Sequence, residues 1–320
     1  MECGLLVGDG PFRRLSVAEA EAYDGPGFLW LHLHGRDEED ATYLSRQAHV
    51  PDVTAAALFA TETRPRCDRV EDGALVNLRG PGDLDTADSD RLVSIRLWAQ
   101  VNRVTSVSRR RMTATAEVMR LMEAGRIDDP GDLVAAYAVT IAGQLDPQVA
   151  ALGDELDSIE CDLEDSKRLY SHRRRITAIR SEAIAFRRFV APNRDALQAM
   201  ARMDFAWLSD DDRLHIREAA DKFARMAEEL EAIRERSALL HEQMTDLRAE
   251  QLDARGLELS VIAFIFLPLT FITGLLGMNV EGIPYAQEPW AFWGVVGLCL
   301  ALALLISGYF IWRHKVHERN

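Results

Sequence analysis

Two long apolar runs near the C-terminal end constrain this chain more than any other feature. Residues 259–276 and 290–312 contain no Asp, Glu, Lys or Arg. A helix needs about 20 apolar residues to cross the hydrocarbon core of a bilayer, so both runs have the length of a membrane span. Two such runs separated by a short loop are foreign to soluble cores, and the pattern predicts two transmembrane helices. The start of the chain, MECGLLVGDGPFRRLS, has no apolar stretch of signal-peptide length after its charges. Orientation therefore rests on the spans. Arg313, His314, Lys315 and Arg319 follow the second run, while the connecting loop carries Glu281 and Glu288 and no Lys or Arg. The positive-inside rule places both termini in the cytoplasm and the loop outside. Tyr285, Trp290 and Trp293 would then mark one interface, and Tyr309 and Trp312 the other.

The mean hydropathy of -0.12 hides this division. The net charge of -14 belongs to the part before residue 259, because Glu281, Glu288 and Glu318 cancel Arg313, Lys315 and Arg319 beyond it. An acidic domain disfavours nucleic acid and suits either solubility or the concentration of cations. Cys3, Cys67, Cys161 and Cys299 show no paired metal-ligand spacing and suit a reducing compartment.

The sequence divides into three parts. Residues 1–146 read as a mixed α/β domain, 147–256 as a helical stalk and 257–320 as a transmembrane domain. The last part comprises a first span at 257–276, an outer loop at 277–289, a second span at 290–312 and a cytoplasmic tail at 313–320. In the first part, strands are predicted at 28–34, 67–70, 74–79, 92–99 and 104–108. Asp72-Gly73 signals a hairpin turn between the second and third of these, and Asn102-Arg103 a further one. Helices are predicted at 38–47, 53–60, 113–123 and 131–145. No phosphate loop, nucleophile elbow or other catalytic constellation is present, and no cofactor is implied, so the chain is not expected to be an enzyme. His32 and His34 alternate on one strand face, but an isolated pair lacks the further ligands zinc takes, and a structural role is expected.

After Pro147 the pattern is helical. The stretch containing Asp154, Glu155, Asp157, Glu160, Asp162, Glu164 and Asp165 is followed by Arg173, Arg174, Arg175, Arg180, Arg187 and Arg188. Asp154, Asp157, Glu160 and Asp162 offer a cytoplasmic cation site. Two helices facing each other with opposite charges explain the same residues without a ligand. Ser209 then caps a helix with Asp210, Asp211 and Asp212 in its first turn. From Ile216 through Ala219, Phe223, Met226, Leu230, Ile233, Ser237, Leu240 and Met244 to Leu247, spacings of three and four alternate strictly. Helix from residue 209 to 276 would be about 100 Å long at 1.5 Å per residue, and its seam needs partner helices from the preceding hairpin, other subunits or both. Two spans cannot enclose a polar path, so a pore requires several copies in a ring.

Gly277-Met278-Asn279 follows the first span directly, with Val280-Glu281-Gly282-Ile283-Pro284 after it. In this position, behind a stalk-like helix and before an acidic loop, the triplet resembles the signature of the CorA-type metal-ion transporter family. The Gly-Ile-Pro that follows is most similar to the zinc-transporting ZntB branch. So are Trp30-Leu31-His32-Leu33, Thr63-Arg64-Pro65-Arg66, the segment from Arg187 to Pro192 with Arg194-Asp195, and the segment from Trp207 to Asp211. Glu281 departs from that branch, which more often has a small residue there, whereas the magnesium branch has an acid. The resemblance implies a CorA-like homopentameric funnel of α/β cytoplasmic domains in the cell membrane, with the first spans lining the pore. It implies a cargo of zinc, or alternatively magnesium, cobalt or nickel, and leaves a proton-coupled mechanism open.

Helix chemistry is consistent with that implication. Gly277 stands where a C-cap glycine belongs, and five helix ends, each about half a negative charge, would attract cations. Gly277, Met278 and Asn279 would form the selectivity filter, with Asn279 oxygens receiving the water shell of a hydrated divalent ion. Glu281 would attract cations in the outer loop. Gly274, Thr270 and Leu267 recur on one helix face and are assigned to the pore wall, Thr270 beside the hydrated ion and Leu267 as a constriction. The first run holds no His, Cys or acid, which excludes a dehydrated tetrahedral zinc site there.

Overall fold

The computed structural model describes residues 2–6, 12–23, 25–35, 38–45, 50–61, 64–83, 92–162, 169–278, 283 and 288–317. The chain forms two compact units, Met1–His241 and Glu242–Asn320.

The first unit is built on one seven-stranded sheet. Its strands are β1 (Glu2–Leu6), β2 (Arg13–Leu15), β3 (Phe28–Leu33), β4 (Arg66–Val70), β5 (Gly73–Pro81), β6 (Leu92–Gln100) and β7 (Arg103–Ser108). They lie in the order β2-β1-β3-β7-β6-β5-β4. Strands β4 to β7 form an antiparallel meander, and β3 joins it parallel to β7, with Trp30 opposite Val104. All six residues of β3 are buried, because both faces of the sheet are covered. On one face Leu29, Leu31, Leu33, Leu75, Trp98 and Val107 pack with Ala20 of α1 (Val17–Ala22), Leu44 of α2 (Glu38–Ser45) and Leu58 of α3 (Asp52–Leu58). On the other face Trp30 meets Tyr137 edge to face at 6.2 Å, on the helix α5 (Pro130–Cys161) that follows α4 (Thr113–Glu123).

The strand and turn patterns locate the meander, with one change of role. The β4–β5 turn is Glu71-Asp72, with Glu71 at φ +50°, and Gly73 already pairs with Val70 as the first residue of β5. Its lack of a side chain serves packing instead: a Cβ there would lie 2.6 Å from the Trp98 ring. Strands β1 and β2 and helix α1 have no counterpart in the sequence expectation, being three to six residues long.

The expected boundary between residues 146 and 147 falls inside α5, which continues unbroken through Pro147 to Cys161. Pro147 is exposed, and so is Gly143, whose carbonyl the proline leaves without its helical donor. That side of the helix faces solvent, while Ile141, Leu145, Val149, Leu152 and Leu156 carry the buried stripe past it. Helix α6 (Leu169–Arg202) docks on β5 through Asn193, which is fully buried and reads the strand as another strand would. Its Oδ1 accepts from Arg79 N at 3.0 Å and its Nδ2 donates to Arg79 O at 2.8 Å.

Helix α7 (Asp210–Leu276) starts at a reciprocal cap: Ser209 N donates to Asp212 Oδ2 at 2.8 Å, and Asp212 N donates to Ser209 Oγ at 3.1 Å. Its seam from Ile216 to Leu240 is buried within this single chain, against the hairpin that precedes it. A Cβ on Gly153 of α5 would lie 3.8 Å from Ile233, and Arg187 of α6 pairs with Glu231 at 3.1 Å. The heptad spacing therefore specifies an intramolecular packing of three helices and is no argument for assembly. Leu247, the last expected seam position, is 37% exposed.

The second unit contains the end of α7 and helix α8 (Ala291–His317). Both carry windows of span length, with mean hydropathy 2.4 and 2.3 and no residue buried. A soluble core helix of that composition would be covered by protein. These are exposed, as a lipid-facing helix is.

Candidate pore and cation-binding residues

In the second unit Leu267, Thr270 and Gly274 lie on α7 at spacings of three and four and all are exposed, Leu267 to 76%. Ile265, Leu269, Ile272 and Leu276 form the opposite, half-buried stripe. That stripe turns toward α8: Leu269 and Thr273 border a groove with Val295, Val296 and Cys299, and Phe264 meets Phe310 edge to face at 5.8 Å. The three assigned pore residues thus share a face that α8 leaves uncovered.

Thr270 Oγ1 donates to Phe266 O at 2.8 Å, so its proton is turned back into the helix. The oxygen's remaining lone pairs are what a cation or the hydrogens of its water shell require. Thr273 does the same toward Leu269 O at 2.9 Å, but on the groove side.

Gly277 differs from its expected role. Its amide keeps the helical bond to Thr273 O at 2.9 Å, and its φ lies outside the left-handed region that an αL cap uses. A Cβ there would stand 3.0 Å from Thr273 O, a tight contact. Met278 is 49% exposed at the end of the helix. Asn279 and Glu281, the expected filter and loop acid, lie outside the described residues.

The profile of the CorA-like Mg2+ transporter protein family matches residues 25–314. The chain belongs to this family. A zinc transport protein ZntB from Pectobacterium carotovorum subsp. carotovorum (strain PC1) is 31% identical over 306 residues, covering 95% of this chain and 92% of that protein. A divalent cation transporter CmaX from Pseudomonas aeruginosa is 33% identical over 293 residues, covering 91% and 86%. The solved structure of full-length CmaX superposes with a TM-score of 0.79 at 30% identity, covering 98% of this chain and 97% of that one. The complete CorA magnesium transporter of Methanocaldococcus jannaschii gives the same TM-score of 0.79 at 19% identity, over 97% of each chain. The α/β domain, long helix and second apolar helix are thus the CorA fold.

Several segments that carry the family resemblance are structural here. His32 donates or accepts at both ring nitrogens, to Ser106 Oγ at 2.8 Å and Ser108 Oγ at 3.2 Å. Burial pushes its pKa down to about 3, with His34 adding to the effect, so it is a neutral link between β3 and β7. Phe189 of α6 receives the Arg79 guanidinium 4.0 Å above its ring, and Trp207 Nε1 donates to Asp72 O at 3.2 Å.

The acidic face of α5 is ion-paired where its partners are described. Arg236 of α7 spans Asp157, at 2.6 Å, and Glu160, and Arg175 of α6 holds Glu155 at 2.6 Å. Asp154 is exposed, and Asp162 closes the helix as its C-cap. Of the four carboxylates expected to share a cation, Asp157 and Glu160 are therefore drawn together on an arginine.

A different carboxylate group was not anticipated. Asp129, Asp132 and Asp212 offer oxygens within 4.8 Å of one another, where the N-termini of α5 and α7 abut. Asp129 caps α5 by accepting from Asp132 N at 2.9 Å, and Asp132 Oδ2 accepts from Asp128 N at 2.9 Å. Burial pushes Asp132 up to about 6, with the charges of Asp129 and Asp212 adding. Asp212 was marked in the first turn of its helix, and nothing local says that it meets Asp129 and Asp132.

Proposed function

We propose that this chain is one subunit of a homopentameric channel or carrier that moves divalent cations across the cell membrane, with zinc as cargo and magnesium as the alternative. The observation that carries the proposal is the uncovered Leu267–Thr270–Gly274 face leading directly to Gly277-Met278-Asn279 in a member of the CorA-like family. Two exposed apolar helices cannot surround a path by themselves, whereas a ring of first spans buries that face at its centre. Zinc is favoured by relatives named zinc transport protein at 31% identity across nearly the whole chain.

In such a ring the Thr270 oxygens present lone pairs to a hydrated ion. A ring of Leu267 side chains narrows the path to an apolar constriction that opens by wetting. Asn279 amide oxygens at the outer mouth receive the ion's water shell, and the helix ends add a negative field. Glu281 raises the local cation concentration. The uncharged filter holds the ion weakly enough to release it.

The test is flux of zinc and magnesium into sealed vesicles containing the purified protein, with and without a pH gradient. Wild type should admit divalent ions. Asn279→Ala should lower the rate at least tenfold while the same oligomer elutes in detergent, and Asn279→Asp should bind cations more tightly but turn over more slowly. Wild-type flux through Asn279→Ala would remove Asn279 from the filter. No flux through wild type would leave a membrane-tethered sensor or scaffold.

A further inference from the structure

Three sulfur atoms meet at the outer edge of the sheet in the first unit. Cys67 Sγ on the edge strand β4 lies 3.7 Å from Met200 Sδ and 3.8 Å from Met203 Sδ. Met200 is in the last turn of α6, and Met203 N donates to Met200 O at 3.0 Å, so one turn of backbone carries both methionines. Met200 is fully buried, while Cys67 and Met203 are half-buried, which leaves the group within reach of solvent.

We propose that Cys67, Met200 and Met203 form a binding site for a soft monovalent metal ion, Cu(I), for which Ag(I) is a surrogate. This site is independent of the divalent-cation path. Thiolate with thioether is the donor set that selects Cu(I), and the hard divalent ions gain little from it. The geometry fits a three-coordinate ion. Metal–sulfur bonds of about 2.3 Å in a trigonal plane place the sulfurs about 4 Å apart, a few tenths of an ångström beyond the 3.7 and 3.8 Å that separate Cys67 Sγ from the two thioethers. Zinc would require a fourth strong donor, and among the described residues Cys67 belongs to no group of three or more His, Cys, Asp and Glu side chains.

The local electrostatics oppose a reactive thiolate. Burial pushes the Cys67 thiol up to about 12, with the Asp68 charge adding, so the free site stays protonated and unreactive toward electrophiles at neutral pH. Arg66 neutralises Asp68 at 3.0 Å. Binding exchanges one ion for one proton: the S–H bond breaks, the proton leaves to solvent and an S–Cu bond forms. No electron is transferred. The two thioethers add neutral donors, so the bound site carries no net charge, which suits its half-buried position.

The experiment uses the full chain in detergent with Cys3, Cys161 and Cys299 changed to Ser, so that Cys67 is the sole thiol. Cu(I) is titrated anaerobically in competition with a chromophoric Cu(I) chelator, and X-ray absorption reports the donors. One Cu(I) per chain with three sulfur neighbours is expected. Cys67→Ser should abolish binding, and Met200→Leu with Met203→Leu, a volume-conserving pair of changes, should weaken it at least tenfold. Binding unchanged by the two leucines would overturn the site, because a lone thiol would then suffice, as would absence of binding in a chain that unfolds at the wild-type temperature. Ag(I) gives a second readout. It should raise the unfolding temperature of the single-thiol chain, and this rise should vanish with the leucine pair. A rise of equal size in both would also overturn the site.

Discussion

Replacing Asp132 by Asn should make the first unit less sensitive to pH, in a direction and window that the carboxylate cluster fixes. Asp132 sits in the first turn of α5, facing Asp129 on its own helix and Asp212 of α7. Gly131 is part of the same contact, since a Cβ there would run into the Asp212 carboxylate. Helix N-termini favour carboxylates, but partial burial wins, and Asp132 moves from an ordinary 3.8 up to about 6. Its protonated form donates to Asp212, which in turn is held by Ser209 N and Oγ. Because the folded-state pKa is raised, the native state binds more protons than the unfolded state between those two values. Its contribution is complete below the unfolded pKa and is lost as pH rises through about 6. About two pH units at about 1.4 kcal/mol each gives about 3 kcal/mol at most. Solvent at this half-buried site reduces it to about 1–2 kcal/mol. The amide introduced by Asp132→Asn can donate to Asp212 at every pH and keeps an oxygen for Asp128 N. The assay is thermal unfolding of the detergent-solubilised protein, followed by tryptophan fluorescence from pH 4 to 8. Asp132→Asn should match wild type near pH 4 and exceed it above pH 6, by about 2–4 °C per kcal/mol for a unit of this size. Parallel profiles for the two proteins, or a variant that loses ground as pH rises, would refute the assignment of the proton to this cluster.

The packing of α7 and the acidic face of α5 give two further tests. Leu230 is fully buried in a seam covered by its own chain, so Leu230→Ala should cost about 2–5 kcal/mol in denaturant unfolding. The oligomer proposed above, measured by sedimentation, should persist under folding conditions; dissociation into folded single chains would place the seam between subunits instead. Arg236 and its partners Asp157 and Glu160 are each more than 40% exposed, so Arg236→Ala should cost less than about 1 kcal/mol. A loss above about 2 kcal/mol in the same measurement would mean that this ion pair is shielded from solvent.

The sequence alone determined what depends on neighbours a few residues apart. Apolar length marked the two helices that are long enough to cross a membrane, and the alternating three-and-four spacing fixed the buried stripe of α7 from Ile216 to Leu240. Ser209 with Asp212 marked the start of that helix, because a reciprocal cap closes within three residues. The strands of the meander were legible for the same reason, since period-two patterns and tight turns are local. Gly277 drew attention by its place at the end of an apolar helix, although it does not take the left-handed conformation of a cap. Tertiary structure decided everything that required two distant segments to meet. The short strand β1 exists through pairing to β3, and β2 through pairing to β1, and three to five residues carry too little pattern to announce themselves. Pro147 reads as a break, yet α5 passes it because the proline happens to face solvent while the buried stripe continues. The partner of Asp157 and Glu160 is Arg236, more than 70 residues away, and not the nearer basic segment. Asp132 and Asp212 are 80 residues apart, and Cys67 and Met200 more than 130, so no periodicity links them. Their side chains acquire shared chemistry only when packing removes water and sets their separations, and that information resides in the fold as a whole.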